Sequence, residues 1–260
     1  MKAMIFAAGK GTRLRPLTDN MPKALVPVCG KPLLAHVAEK LKAAGYSEIV
    51  INVHHFADMI EDYVRSNGSF GIEIKFSDER SMLRETGGGI LHARQLIEPG
   101  NFLVHNVDII SDLDVAALEA SLRPGALASL AVSERKSSRY LLFDEDMRLA
   151  GWKNEASGEI KSPWLARGVP DGNGSVRPFR AEEYRRLAFS GIHAVSSDIF
   201  PLMDDYAALH GECFPIIDFY LSVCGRIPVY GMEQKSLRIA DVGKTDTLSE
   251  AEKLCAEILY

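Results

Sequence analysis

Along the first 110 residues, short apolar runs alternate with stripes of apolar residues at helical spacing. Residues 1–7, Glu48–Val53 and Phe102–Asn106 read as buried strands, and residues 72–76 alternate like a half-buried one. Pro32 opens a helix in which Leu33, Leu34, Val37, Leu41 and Ala44 recur on one face, and Gly45 ends it. Ala57–Ser66 predicts a second helix, closed by Asn67-Gly68. A third is expected to follow Gly87-Gly88-Gly89 and run to about Ile97. Strand and helix in alternation predict a parallel sheet covered on both faces.

The second half is less regular. Strands are expected at 127–132, 140–143, 187–195 and 227–230, and helices at 197–206, 214–223 and 247–259. The stretch from Asn154 to Arg180 is polar and rich in Gly and Pro, and reads as a long excursion. With no repeat, linker or low-complexity tail, the expectation is one α/β domain with a mixed, mostly parallel central sheet flanked by helices.

Composition narrows the class. A chain of 260 residues with 47% hydrophobic and 25% charged residues can bury a sizeable core. A net charge of −5 gives no general attraction to nucleic acid or anionic membrane, so neither is an expected partner and any phosphate site must be a local cluster of positive charge. Cys29, Cys213, Cys224 and Cys255 form no metal-ligand spacing and suit a reducing compartment. The apolar run at the N-terminus is too short for a signal segment, and no window reaches membrane-spanning length, which makes the cytoplasm the expected location.

Candidate chemistry begins in the first strand–helix loop, Ala8-Gly9-Lys10-Gly11-Thr12-Arg13-Leu14-Arg15-Pro16. Glycines let a backbone approach phosphate closely and aim amide groups at it, and Lys10, Arg13 and Arg15 add charge, with Lys23 and Lys31 following. A P-loop is excluded because its Gly-Lys-Ser/Thr ending is absent. A dinucleotide fingerprint is excluded because Leu14 stands at the third glycine. On its own, the loop is also compatible with a plain glycine turn bearing a solvated basic rim.

Residues 7–18 together with Pro22-Lys23, Pro27-Val28 and Gly30-Lys31-Pro32 closely resemble the signature of the sugar-1-phosphate nucleotidyltransferases, also called nucleotide-sugar pyrophosphorylases. Glu85-Thr86-Gly87-Gly88-Gly89-Ile90, Asn106-Val107-Asp108, Phe189-Ser190-Gly191-Ile192 and Asp241-Val242-Gly243 follow in the family's order. The stretch from about Arg135 to Arg186 matches poorly. The resemblance implies a Rossmann-like nucleotidyltransferase fold. Its nucleotide-binding half would be residues 1–110 and its sugar-binding half residues 111–260. It implies transfer of a nucleoside monophosphate from an NTP to a sugar 1-phosphate with release of pyrophosphate, by a monomer or small homo-oligomer.

Roles then carry over residue by residue. Ala8, Gly9, Gly11 and Thr12 resemble the phosphate-cradling loop, Arg13 the holder of the triphosphate, and Lys23 the lysine beside the reacting phosphates. Asp108 and Asp241 resemble the two aspartates that bind Mg²⁺, a hard ion suited to carboxylates. Glu85, Gly87 and Gly88 resemble the base-binding loop. Many relatives have Gly where Val107 stands and an aromatic residue before the second aspartate, where this chain has Ile239-Ala240; both departures bear on pocket shape.

The Glu85–Ile90 wording and the short chain resemble most closely the family members that use UTP and N-acetylmuramate 1-phosphate in cell-wall recycling. A guanylyltransferase for a mannose- or heptose-type phosphate is the alternative, and a non-catalytic sugar-nucleotide sensor is the alternative from another class. A Glu85 carboxylate touching the base would suit guanine, whereas backbone readout would suit uracil. Ser190-Gly191 lies at a family position near the sugar. Trp152 and Asn154 could stack on and hydrogen-bond it, or simply pack. A lactyl carboxylate would call for a cation such as Arg177, Arg180, Arg185 or Arg186. His54-His55 has no third ligand nearby and is expected to be structural or solvated.

Overall fold

The computed structural model describes residues 1–170 and 175–259. The alternation of the first half becomes strand β1 (Lys2–Phe6), helix α1 (Leu33–Ala43), β2 (Glu48–Val53), α2 (Ala57–Ser66), β3 (Glu73–Asp78), the short helices α3 (Glu85–His92) and α4 (Arg94–Ile97), and β4 (Phe102–Asn106). β1 lies between β2 and β4, with β3 beyond β2, all parallel. Two elements follow that lack a strong sequence pattern, the three-residue β5 (Ile109–Ser111) and helix α5 (Val115–Ala120).

The second half adds β6 (Ala128–Ser133), β7 (Arg139–Phe143), β8 (Leu149–Asn154), the two-residue β9 (Ile160–Lys161) and the long β10 (Arg185–Val195). After these come α6 (Ile199–His210), α7 (Ile216–Val223), β11 (Val229–Glu233), β12 (Ile239–Asp241) and α8 (Thr245–Leu259). β10 runs antiparallel to β4, β6 and β7, and β6 pairs in parallel with β11. β7, β8 and β9 continue as an antiparallel meander. The result is a ten-stranded mixed sheet whose first half is parallel, with a separate ribbon of β5 and β12. The polar excursion is ordered through the turn after Lys161 and a small hairpin at Val169–Pro170 and Val176–Arg177. Its positions 171–174 lie outside the described residues.

Side-chain alternation splits the strands between two cores. Ala3, Ile5, Ile49, Ile51 and Leu103 face Leu34, Val37 and Leu41 of α1 and the apolar face of α2. Met4, Val50, Phe102 and Val104 face Ile90, Phe200, Met203, Phe219 and Tyr220 on the other side. Each Val, Leu, Ile, Phe or Met side chain among them contributes about 1.5–3 kcal/mol when fully buried. This three-layer sandwich presents the carboxyl ends of β1, β2 and β4 at one edge, where ligands of open parallel sheets bind. No helix among the described residues is long and apolar enough to cross a membrane.

Candidate active site

At that edge the chain encloses a cavity of about 330 Å³. Its lining includes residues 6–13, Lys23, Asn52, Leu83, Glu85, Thr86, Asn106–Asp108 and Gly243. The glycine loop forms one wall. Gly11 has φ +63°, and its carbonyl accepts hydrogen bonds from the Leu14 N–H at 2.9 Å and the Thr18 hydroxyl at 2.8 Å. A Cβ there would lie 3.0 Å from both Lys23 Cβ and Thr18 Cγ2, so glycine is demanded by both backbone and space. A Cβ on Gly9 would meet nothing within 4 Å, as expected where the backbone faces an open cleft.

Behind the loop lies a polar network that sequence reasoning missed. Asn52 Oδ1 accepts the backbone N–H of Ala7 at 2.7 Å and of Ala8 at 3.3 Å. Its Nδ2 donates to Glu79 Oε1 at 2.8 Å, and Glu79 Oε2 accepts the Arg84 N–H at 3.0 Å. A fully buried carboxylate is costly unless its oxygens find donors, and these two fix the glycine loop to the segment entering α3. The visible signal was a polar residue, Asn52, inside an otherwise apolar strand.

Of the cations after β1, Lys10, Arg13 and Lys23 reach the cavity. Arg15 pairs with Asp19 at 3.3 Å, and Lys31 pairs with Glu39 at 2.6 Å away from the cleft. Lys23 is only 8% exposed and forms an ion pair with Asp108. Asp108 stands in the turn between β4 and β5. Asp241 ends β12, in register with Ile109, and the N–H of Val242 donates to the Asp108 carbonyl at 2.9 Å. The ribbon therefore brings together two aspartates 133 residues apart (241 − 108). Asp241 is not among the residues lining the cavity but is exposed at its edge, beside the lining residue Gly243. Partial enclosure of its carboxyl by protein and the Asp108 charge raise its pKa, against the pull of Lys23, Arg135 and Arg13. A Cβ on Gly243 would stand 2.9 Å from Asp241 Oδ1 and 3.5 Å from Arg13 Nη2, which places that guanidinium at the same corner.

Two expected base contacts are placed differently. Glu85 and Thr86 line the cavity, but Gly87 and Gly88 do not. Their N–H groups donate to the Phe214 carbonyl at 2.8 and 3.2 Å. A Cβ on Gly87 would lie 2.5 Å from the Phe214 ring, and one on Gly88 2.0 Å from the Glu212 carbonyl oxygen. Both glycines lie within α3 and are small so that residues 212–214 can pack on it, and neither is among the residues lining the cavity. Thr86 Oγ1 accepts the Ile216 N–H at 2.9 Å, joining this wall to α7.

At the position expected to lie near the sugar, Gly191 has φ +73°, and a Cβ there would lie 2.6 Å from Asn106 Nδ2, a residue of the cleft wall. Trp152 and Asn154 line an adjoining cavity of about 520 Å³. Three of the arginines named for a sugar carboxylate are already engaged. Arg177 pairs with Glu183, Arg185 with Glu134 and Glu233 at 3.2 and 2.9 Å, and Arg186 with Glu155 at 2.9 Å. His54 Nδ1 lies 2.7 Å from the Glu79 carbonyl oxygen, a structural contact as expected.

The chain is similar to known proteins in sequence and in fold. Over 110 residues the chain is 49% identical to the N-acetylmuramate alpha-1-phosphate uridylyltransferase of Caulobacter vibrioides, covering 42% of this chain and 46% of that protein. Over 117 residues it is 46% identical to the protein of that name from Neisseria meningitidis serogroup B, covering 45% and 51%. The matched region thus spans about half the length of these curated relatives. The fold matches the inositol-1-phosphate CTP transferase from T. maritima at a TM-score of 0.75 and 15% identity, over 99% of this chain and 95% of that one. The nucleotidyl transferase family model matches residues 2–140, more than half of the chain, and with the glycine loop, Lys23 and Asp108 all inside that span, this chain belongs to the nucleotidyl transferase family.

Proposed function

We propose that the protein transfers uridylate from UTP to N-acetylmuramate 1-phosphate, forming the UDP-sugar and pyrophosphate. The observation that carries this reading is the convergence of the glycine loop, Arg13, Lys23 and Asp108 on one cleft, with Asp241 set beside Asp108 by the ribbon, joined to the names of the two relatives. The four free cysteines suit a reducing compartment, and we place the activity in the cytoplasm.

The nucleophile is a phosphate oxygen of the sugar phosphate, already anionic at neutral pH. It forms a bond to the α-phosphorus of UTP, while the bond from that phosphorus to the bridging oxygen breaks and pyrophosphate departs. No general base is needed, and no catalytic triad is called for; the obstacle is repulsion between anions. The loop from Gly9 to Thr12 offers backbone N–H groups to the phosphates. Arg13 holds the triphosphate end with its planar fork, and Lys23 neutralises charge between the reacting groups. Asp108 holds the Lys23 ammonium in place before substrate arrives.

Asp108 in the turn before β5 and Asp241 at the end of β12 are a hard oxygen donor pair, and burial together with the Asp108 charge raises Asp241, an effect that a divalent cation opposes. Asp108 and Asp241 would hold Mg²⁺, which supplies further charge stabilisation to the phosphates when bound.

A second reading is favoured by one observation. Glu85 lines the cleft with no partner for its carboxylate among the described residues, and a carboxylate suits the paired donors of guanine better than uracil. Competition between UTP and GTP at equal concentration tests the two readings. Preferred use of UTP supports the proposal, and preferred use of GTP with a mannose-type phosphate replaces it.

A further inference from the structure

The cavity of about 520 Å³ beside the cleft is walled on one side by a single face of the β7–β8–β9 meander. Antiparallel register sets Arg139 opposite Asn154, Leu141 opposite Trp152, and Trp152 opposite Lys161, so alternation puts all five on the face that looks toward Pro215, Ile217 and Asp218. The cavity abuts the nucleotide cleft where Thr86 meets Ile216, since Thr86 lines one and Pro215 and Ile217 line the other. A volume of this size admits a substituted hexose.

The charges on this wall differ in their freedom. Lys161 is held by Asp218 at 3.0 Å, with its ammonium 5.3 Å from the centre of the Trp152 ring. Asn154 Oδ1 accepts the Ala156 N–H at 2.9 Å, which leaves its Nδ2 donors to the cavity. Arg139 is exposed and its guanidinium has no hydrogen-bond or ion-pair partner among the described residues, although Glu159 stands on the same wall. Arg177, Arg185 and Arg186 are each tied to glutamates, and Arg180 is not part of this wall.

We infer that Arg139 is a specificity-determining residue that binds a carboxylate-bearing substituent on the sugar phosphate, in a pocket whose apolar side is Trp152. The inference rests on the proposed function for its choice of sugars. An open guanidinium at the mouth of a pocket offers two parallel N–H donors to a carboxylate, and a sugar without that group gains nothing from it.

The test compares kcat/KM for N-acetylmuramate 1-phosphate and N-acetylglucosamine 1-phosphate, which differ by the lactyl carboxylate. The wild-type protein should prefer the first. Arg139→Gln should lower kcat/KM for the first by about 10- to 100-fold and leave the second unchanged, Arg139→Lys should fall between, and Arg186→Gln should leave the preference intact. An equal loss on both sugars, a preference untouched in Arg139→Gln, or no preference in the wild type would overturn the assignment. Absence of turnover with every sugar phosphate would instead defeat the proposed function. Calorimetric titration of N-acetylmuramate 1-phosphate into wild type and Arg139→Gln then decides the role of Arg139 alone: weaker binding by the variant upholds it, and equal or absent binding in both removes it.

Discussion

Lys23 and Asp108, 85 residues apart in sequence, form an ion pair in the lining of the cleft. The pair holds a largely buried side chain in that lining, where phosphates would sit. Neither Lys23→Ala nor Arg13→Ala should disturb the sheet, but each removes a preorganised positive charge of a kind that typically lowers a barrier by about 2.7–4 kcal/mol. We predict a fall in the single-turnover rate of that order, about 100- to 1,000-fold. A rise in KM with kcat unchanged would show that these groups only bind the ground state.

The ribbon of β5 and β12 places Asp241 beside Asp108, and both are expected to serve the metal. Asp108→Asn and Asp241→Asn should each reduce turnover by orders of magnitude, with the circular dichroism spectrum unchanged. Exhaustive chelation should abolish activity and added Mg²⁺ restore it. Full activity in either variant, or after chelation, contradicts the metal assignment.

Two glycines separate packing from binding. A methyl on Gly88 would meet the Glu212 carbonyl oxygen at 2.0 Å, whereas one on Gly9 would meet nothing within 4 Å. Gly88→Ala should therefore lower unfolding stability by about 1–3 kcal/mol in urea titration. Gly9→Ala should leave stability within about 0.5 kcal/mol and raise KM for the nucleotide. The reverse ranking in stability would mean that the wall formed by residues 212–214 yields easily, or that Gly9 carries a packing role.

Much of this was legible in the sequence because the responsible patterns are local. β1, β2 and β4 are mainly apolar runs, β3 alternates, and α1 and α2 carry one apolar stripe each, so their bounds emerge from periodicity within a residue or two. Gly11, Lys23 and the aspartates were marked by motif and spacing. What remained hidden depends on distant partners. The role of Gly87 and Gly88 is set by Phe214 and Glu212, more than 120 residues away, and no local pattern announces that contact. β5 and β12 are three residues each, too short for any periodicity to register. The arginines at 177, 185 and 186 looked available only because the glutamates that engage them lie on other elements or across a turn.

Buried histidines give the fold a predictable acid limit. Burial lowers His193 and His105 to about 3, with the Lys40 charge adding to the effect at His105. Between an unfolded value of 6.5 and about 3, the unfolded chain takes up protons that the folded chain refuses. Stability is therefore intact above pH 6.5 and declines as pH falls below it, by up to about 1.4 kcal/mol per pH unit for each histidine. His193 packs against Phe189 and Tyr220, so His193→Phe preserves ring contacts while removing the titration. Urea unfolding at pH 7 and pH 5 should show a shallower pH slope in the variant by about that amount; an unchanged slope would mean that His193 protonates freely in the native state.

Uridylyl transfer between two phosphates is proposed for the cleft of Lys23 and Asp108. Incubation with UTP labelled at the α-phosphorus and N-acetylmuramate 1-phosphate measures this directly. The label should appear in a UDP-sugar, with one pyrophosphate released per molecule formed, and it should vanish from that product in Lys23→Ala. Label recovered only in UMP, or retained in UTP while GTP and a mannose-type phosphate react, would contradict the account.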